Sequence, residues 1–310
     1  MNWTNDTVTD EEHRSTAEQI IVIIIMILIF FISIAGNACV CYIIVKDPKL
    51  KKISMITVFN LAVTDLGFTS TSIPISVIVL IQDKWPWDGV VCHLNGITML
   101  VFGIASLMNL GVIAVSRYIA VCHSQFAKTY LTKKFYIGSV IFIWIISIAI
   151  SFPPIVHWGS IEYSYAKAAC THYWPSSMSY TLFLITSAVF VPFIVIVTLY
   201  SLLFSTVRSN TKRIRDKSSS ITITRSDIRL AKVSASIFFS FLICWSPISV
   251  TNFLELAGLK VRHQWNMFAM VMMYSNSICD PIIYSLMSNH FKAGFMKLLC
   301  CKNQSAETSD

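Results

Sequence analysis

The chain has 310 residues, of which 55% are hydrophobic and only 13% charged, with a mean hydropathy of +0.65 and a formal net charge of +8. This balance excludes a soluble globular domain and marks a membrane protein. The basic excess reads as a topology signal and does not call for a nucleic-acid partner.

From the N-terminus, residues 1–19 form a polar tail in which Asn2-Trp3-Thr4 and Asn5-Asp6-Thr7 make Asn2 and Asn5 glycosylation acceptors. The acidic Asp10, Glu11 and Glu12 and the length of the apolar run that follows distinguish the first span from a signal peptide. Windows of about 20 apolar residues, enough to cross roughly 30 Å of hydrocarbon, recur at Ile20–Val45, Met55–Ile81, Val91–Val121, Phe135–Val156, Met178–Phe204, Leu230–Leu256 and Trp265–Leu286. The expected fold class is therefore an all-α membrane protein, a bundle of seven transmembrane helices over residues 20–286. With the C-terminus inside, inner segments and span edges hold 19 of the 24 Lys and Arg. This orients the N-terminus outward, in a multi-pass protein of the plasma membrane. The one long polar connection, Arg208 to Arg229, faces the cytoplasm and suits a partner; a solvated charge run is the plainer account of its middle. Residues 287–301 read as a short amphipathic eighth helix on the membrane lipid, with Phe291, Phe295, Leu298 and Leu299 on its apolar face. Cys300 and Cys301 follow it as candidate palmitoylation sites, before a tail at residues 302–310.

Of nine cysteines only Cys92 and Cys170 fall on the outer, oxidising side, so one disulfide between them is the economical assignment. No cysteine spacing indicates zinc.

Ionisable groups inside a span are costly and need a partner or a role. Asp65 and Asp280 are the two clear cases, joined by polar Asn37, Ser106, Asn276 and Ser277. Such groups can form a hydrogen-bonded cluster that fixes packing, or coordinate a small cation through oxygens. An aspartyl protease is disfavoured by the flanks Thr64-Asp65-Leu66 and Cys279-Asp280-Pro281; no nucleophile-elbow pattern and no repeated halves point to a hydrolase or a transporter. Pro74, Pro153, Pro154, Pro192, Pro247 and Pro281 mark bends, and Pro247, two residues after bulky Trp245, is the best hinge. Arg117 lies 25 residues beyond Cys92, about 37 Å along a helix. Asp227 lies 18 residues before Trp245, about 27 Å away, so an Arg117–Asp227 pair at the cytoplasmic edge is sterically open, as is snorkelling of both into water.

Gly36-Asn37, the "NLAVTD" ending in Asp65, Cys92, Ser116-Arg117-Tyr118, Trp144, Pro192 with Tyr200, Cys244-Trp245-Ser246-Pro247 and Asp280-Pro281-Ile282-Ile283-Tyr284 occur in order across all seven windows. Together they resemble the rhodopsin-like (class A) G-protein-coupled receptors. "CHLNGI" from Cys92, the Trp158–Cys170 spacing and "DIRLAK" from Asp227 resemble opsins in particular. Tyr274, however, stands where an opsin has its retinal-linking lysine, and no lysine occurs in Trp265–Leu286, so a Schiff base has no amine there. Asn95 and Ser164 occupy the positions of opsin counterions, and Met99 that of the amine receptors' aspartate. The chain is thus similar to lysine-less opsin relatives, the placopsins.

The resemblance implies no enzyme activity and signalling to a heterotrimeric G protein, with arrestin as a second partner. It implies a ligand pocket at Asn95, Met99, Trp245 and Tyr274 for a small molecule or peptide, and an activation switch at Arg117, Asp227, Pro247, Pro281 and Tyr284. It also implies a sodium site at Asp65, Ser106, Asn276, Ser277 and Asp280. Non-covalent retinal stays as the alternative ligand. Ser116, where the family has an acid, leaves Asp227 as the principal partner of Arg117 and implies raised basal signalling.

Overall fold

The computed structural model describes residues 14–50, 52–215 and 225–299, with no side chains described at 49, 209–215, 225–227 and 299. Asn2, Asn5, Cys300 and Cys301 lie outside the described residues, as does the side chain of Asp227.

Seven long helices form an antiparallel bundle. The first span covers Thr16–Lys46, opened by a capping box in which Ser15 and Glu18 satisfy each other's backbone amides. The second covers Met55–Gln82 and the third Gly89–Cys122, capped by Asp88 on the Val91 amide. A short helix, Ser124–Tyr130, precedes the fourth span at Lys133–Ser151. The fifth begins at Met178–Leu184, widens into π turns at Ile185–Phe190 and continues as Val191–Arg215. Pro192 explains the widening: it has no N–H for the Ala188 carbonyl, and the ladder re-forms with the Val191 N–H on the Thr186 carbonyl. The sixth span is Arg225–Leu256, the seventh His263–Met287, and Asn289–Leu299 forms the eighth helix.

Six helices among the described residues are long and apolar enough to cross a membrane by composition alone. The seventh is more polar because Asn276, Ser277 and Asp280 lie along it, and all three are buried in the bundle. Its polarity is thus hidden from lipid. The third span is the axis of the bundle, touching the second, fourth, fifth and sixth, while the first packs on the second and seventh. The eighth helix tucks Phe291 under the bundle against the Tyr284 ring, centroids 5.0 Å apart, and brings Gly294 against Ile43.

One feature has no counterpart in the helical reading. Between the fourth and fifth spans a two-stranded antiparallel hairpin, β1 (Ile161–Ser164) and β2 (Ala169–His172), pairs Tyr163 with Cys170. The Cys92–Cys170 disulfide ties it to the start of the third span.

Candidate functional site

The disulfide end of the bundle is roofed by this hairpin. It can lie so low because Gly96 has no Cβ: one there would clash with Ile161 and come within 3.2 Å of the Cys170 carbonyl. Asn95 adds a hydrogen bond, its Oδ1 accepting from the Cys170 N–H at 3.0 Å. The connection between the strands is a 3-10 turn, Tyr165–Lys167, closed by Ala168 in the left-handed region at φ 50°. It grips the bundle on two sides. Tyr165 donates its hydroxyl to Asp83 at 2.9 Å and stacks its ring under the Arg14 guanidinium at 4.0 Å. Lys167 donates Nζ to Glu255 at 2.7 Å and to Asn252 at 2.9 Å, both on the sixth span. Burial lowers the Lys167 pKa, and Glu255 opposes that shift.

Beneath the roof lies a cavity of about 240 Å³. Trp245 borders it, packed against Gly103 and stacked on Phe241 with centroids 5.2 Å apart. Met99, Ile104, Leu107, Ile248, Met270 and Met273 make an apolar wall, and the π turns of the fifth span supply Ile185, Ala188, Val189 and Phe190. The polar lining is limited to Lys167, Thr171, His172, Ser249 and Asn252 among the described residues, beside the Trp174 and Trp245 indoles. The His172 ring nitrogens lie 3.1 Å from the Ser160 carbonyl and 3.2 Å from the Thr181 hydroxyl. Burial, reinforced by the nearby Lys167 charge, pulls its pKa down to about 4, so the ring is neutral.

Two residues expected in this wall stand behind it. Asn95 is buried with its carbonyl oxygen on Cys170. Tyr274 is fully buried, its hydroxyl 2.9 Å from Ser76 and its ring 5.6 Å from Phe68, so it ties the second and seventh spans together. Neither lines the cavity. Lys167 does, and in the sequence it is only one of five basic residues in the segments expected on the outer side. Spacing carried no signal for it, because its position depends on how the loop folds.

Below the cavity the prolines show what they release and what replaces it. Pro281 has no N–H for the Ser277 carbonyl; the Asn37 amide, from the first span, donates to that carbonyl at 2.8 Å. The spans can approach because position 36 is glycine, where a Cβ would sit 2.9 Å from the Pro281 ring. Pro247 likewise frees the Ile243 carbonyl, which accepts from the neighbouring Ser246 hydroxyl at 3.1 Å. That repair is made within one helix, so the sixth span is not clamped at Pro247 by a neighbouring span through this carbonyl.

The structure brings Asp65 and Asp280 close to one another, both buried. Two adjacent carboxylates repel unless a proton or a cation lies between them. Asp65 Oδ2, Ser106 Oγ, Asn276 Oδ1 and Ser277 Oγ are buried and have no hydrogen-bond partner among the described residues. Oxygen-only donors of this kind fit a small hard cation. Toward the far end, Arg117 and Tyr284 line one small recess with Leu230, Ser234 and Phe291. Ser116 donates to its own helix at the Ile113 carbonyl, 2.9 Å away.

Residues 36–284 match the sequence profile of the family described as 7 transmembrane receptor (rhodopsin family). Relatives include "Protein trapped in endoderm-1" of Drosophila melanogaster, 26% identical over 86% of this chain and 74% of that protein. "Rhodopsin, GQ-coupled" of Mizuhopecten yessoensis is 25% identical over 87% of this chain, which spans 58% of that protein's length. The Histamine H2 receptor of Homo sapiens is 26% identical over 93% and 82%. Among solved structures, squid rhodopsin superposes with a TM-score of 0.85 over 99% of this chain and 98% of that one, at 21% identity.

Proposed function

Because the chain belongs to the rhodopsin family of seven-transmembrane receptors, and is therefore a signalling receptor and not an enzyme, we propose that it reports a lipophilic small molecule to a heterotrimeric G protein. On this reading it lies in the plasma membrane with its N-terminus outside, and arrestin competes for the same cytoplasmic face. The observation that carries the reading is the apolar cavity bordered by Trp245, two residues before Pro247 inside the sixth span. A ligand there meets the sixth span, whose proline-freed carbonyl is repaired within its own helix. It favours whichever packing binds it better and can shift the equilibrium only by that difference in affinity. Outward motion of the sixth span below Pro247 then widens the recess at Arg117 and Tyr284, where the G protein docks.

The reading excludes covalent retinal at the opsin position, since Tyr274 carries no amine and is held behind the wall by Ser76. Non-covalent retinal is one of the lipophilic ligands to be tried. Sodium is a second element of the proposal. Asp65 and Asp280 would supply its charge, Ser106, Asn276 and Ser277 neutral oxygens, and the ion would offset the repulsion of the paired carboxyls, favouring the inactive packing. With no acid next to Arg117 in its own helix, basal signalling stands above vector.

The test is nucleotide exchange on purified G proteins with the receptor in lipid nanodiscs, across a lipophilic library, in dark and light and in sodium or a large inert cation. Exchange above background with at least one compound, and a lower basal rate in sodium that Asp65→Asn abolishes, is the expected result. Absence of exchange at verified folding with every G-protein class would refute the reading.

A further inference from the structure

The chemistry of the cavity identifies the class of its ligand. We propose that it takes a lipophilic carboxylate, an apolar body with one anionic head, and that this head replaces Glu255 on the Lys167 ammonium. The inference rests on the receptor reading above and narrows it.

Lys167 is the one Lys or Arg side chain among the described residues that line the cavity, whose walls are otherwise dominated by aliphatic, methionine and aromatic side chains. A ligand that fills it is therefore apolar over most of its surface and meets a positive charge at one end. The ion pair there is lopsided. The Lys167 side chain is 2% exposed while that of Glu255 is 28% exposed. Glu255 can turn into water at little cost; Lys167 cannot, and it must keep an anionic partner wherever Glu255 goes. A ligand carboxylate supplies that partner. A cationic ligand would face an unscreened like charge, and a neutral one would leave the existing pair in place. His172, the other ionisable group of the hairpin that lines the cavity, is neutral at physiological pH and offers no competing charge.

The route into the cavity fits the same class. Val189 and Phe190 of the fifth span and Phe253 of the sixth line the cavity and are also about half exposed on the outside of the bundle. The ring contacts that join these two spans, Phe193–Phe238 and Tyr200–Phe238, lie on the far side of Trp245 from the roof. The cavity therefore borders the lipid side between the fifth and sixth spans, where a membrane-dissolved amphiphile arrives tail and head together.

Replacement of Glu255 has a mechanical consequence. Lys167 belongs to the roof, which the Cys92–Cys170 disulfide ties to the third span, whereas Glu255 and Asn252 belong to the sixth. The pair is thus a fastening between the roof and the outer end of the sixth span. A carboxylate that takes over Lys167 removes its charged half and leaves the Asn252 hydrogen bond, loosening the helix on the outer side of Pro247.

The test is equilibrium binding of radiolabelled decanoic, oleic and retinoic acids, and their methyl esters, to the full chain in nanodiscs. Saturable binding of at least one acid, at least about tenfold tighter than its ester, is the expected result. Lys167→Gln should cost that acid about tenfold or more, Lys167→Arg should retain it, and Glu255→Gln should tighten it by removing the competing carboxylate. If Lys167→Gln fails to fold, Glu255→Gln decides alone, since a merely structural pair would give weaker binding along with a lower melting temperature. Equal binding of acids and esters, or weaker acid binding in Glu255→Gln, would overturn the proposal. So would a borohydride-trapped adduct of 11-cis-retinal on Lys167, which would assign the amine to an aldehyde. Acid binding through Lys167 without nucleotide exchange leaves this inference standing and sinks the G-protein reading. Exchange driven by other compounds, with no acid bound, does the reverse.

Discussion

Replacing Gly103 by alanine perturbs the contact on which the proposed switch depends. A Cβ at Gly103 would sit 2.7 Å from Cη2 of Trp245 and 3.4 Å from Cζ2. Carbon atoms rest about 3.5–4.0 Å apart, so the indole tip must retreat by roughly 1 Å. It has little freedom to do so, since Phe241 stacks on it at 5.2 Å and Phe68 lies 6.3 Å away on another side. Overpacking of this kind costs about 1–3 kcal/mol, against which alanine gains about 0.5–1 kcal/mol of helix propensity over glycine. The net expectation is a loss of up to about 2.5 kcal/mol for this packing. Gly111 on the same helix is the internal control, because nothing lies within 4 Å of a Cβ there. Gly111→Ala should therefore gain about 0.5–1 kcal/mol. Thermal melts of both variants in identical nanodiscs separate the two cases, with Gly103→Ala below the parent and Gly111→Ala at or above it. Tryptophan emission should change in the first variant alone. Equal shifts in both, or an unchanged emission in Gly103→Ala, would refute the reasoning that Trp245 is held by that contact.

Three further predictions follow from the same geometry. Reduction of Cys92–Cys170, which closes 78 residues, should destabilise the receptor by at most about 4.5 kcal/mol on chain entropy; melts with and without reductant, against a Cys92→Ser/Cys170→Ser control that no longer responds, measure it. A double-mutant cycle of Ser76→Ala and Tyr274→Phe should return a coupling of about 1 kcal/mol for their hydrogen bond, and a coupling of zero would mean that Tyr274 is held by packing alone. His172 titrates at about 4 when folded and at 6.5 in its reference state, so between these values the unfolded chain binds more protons. Its contribution is present above pH 6.5 and lost as pH falls toward about 4; the melting temperature should drop across that window, and the drop should be shallower in His172→Gln.

Much of the bundle was legible because its causes are local and periodic. Apolar windows are read by length, the basic residues by side, and Pro192, Pro247 and Pro281 by the missing N–H each brings. Even so, the sequence did not say who would satisfy the freed carbonyls. Asn37 serves Ser277 from a helix some 240 positions away, and Ser246 serves Ile243 from three residues further along the same helix. The polar Asp65 and Asp280 were visible as misfits in lipid; that they meet is a matter of packing.

The sequence by itself determined the number of spans, the pairing of Cys92 with Cys170 and the absence of an amine at position 274, since each depends on composition, sidedness or residue identity. The tertiary structure alone decided which residues face the cavity. Helix rotation turned Tyr274 onto Ser76 and out of the wall. The hairpin Ile161–His172, which has no helical period to betray it, carried Lys167 from the loop into the cavity roof opposite Glu255. The charge that packing delivers to the cavity comes from Lys167 of the loop, while the seventh span brings no lysine to it.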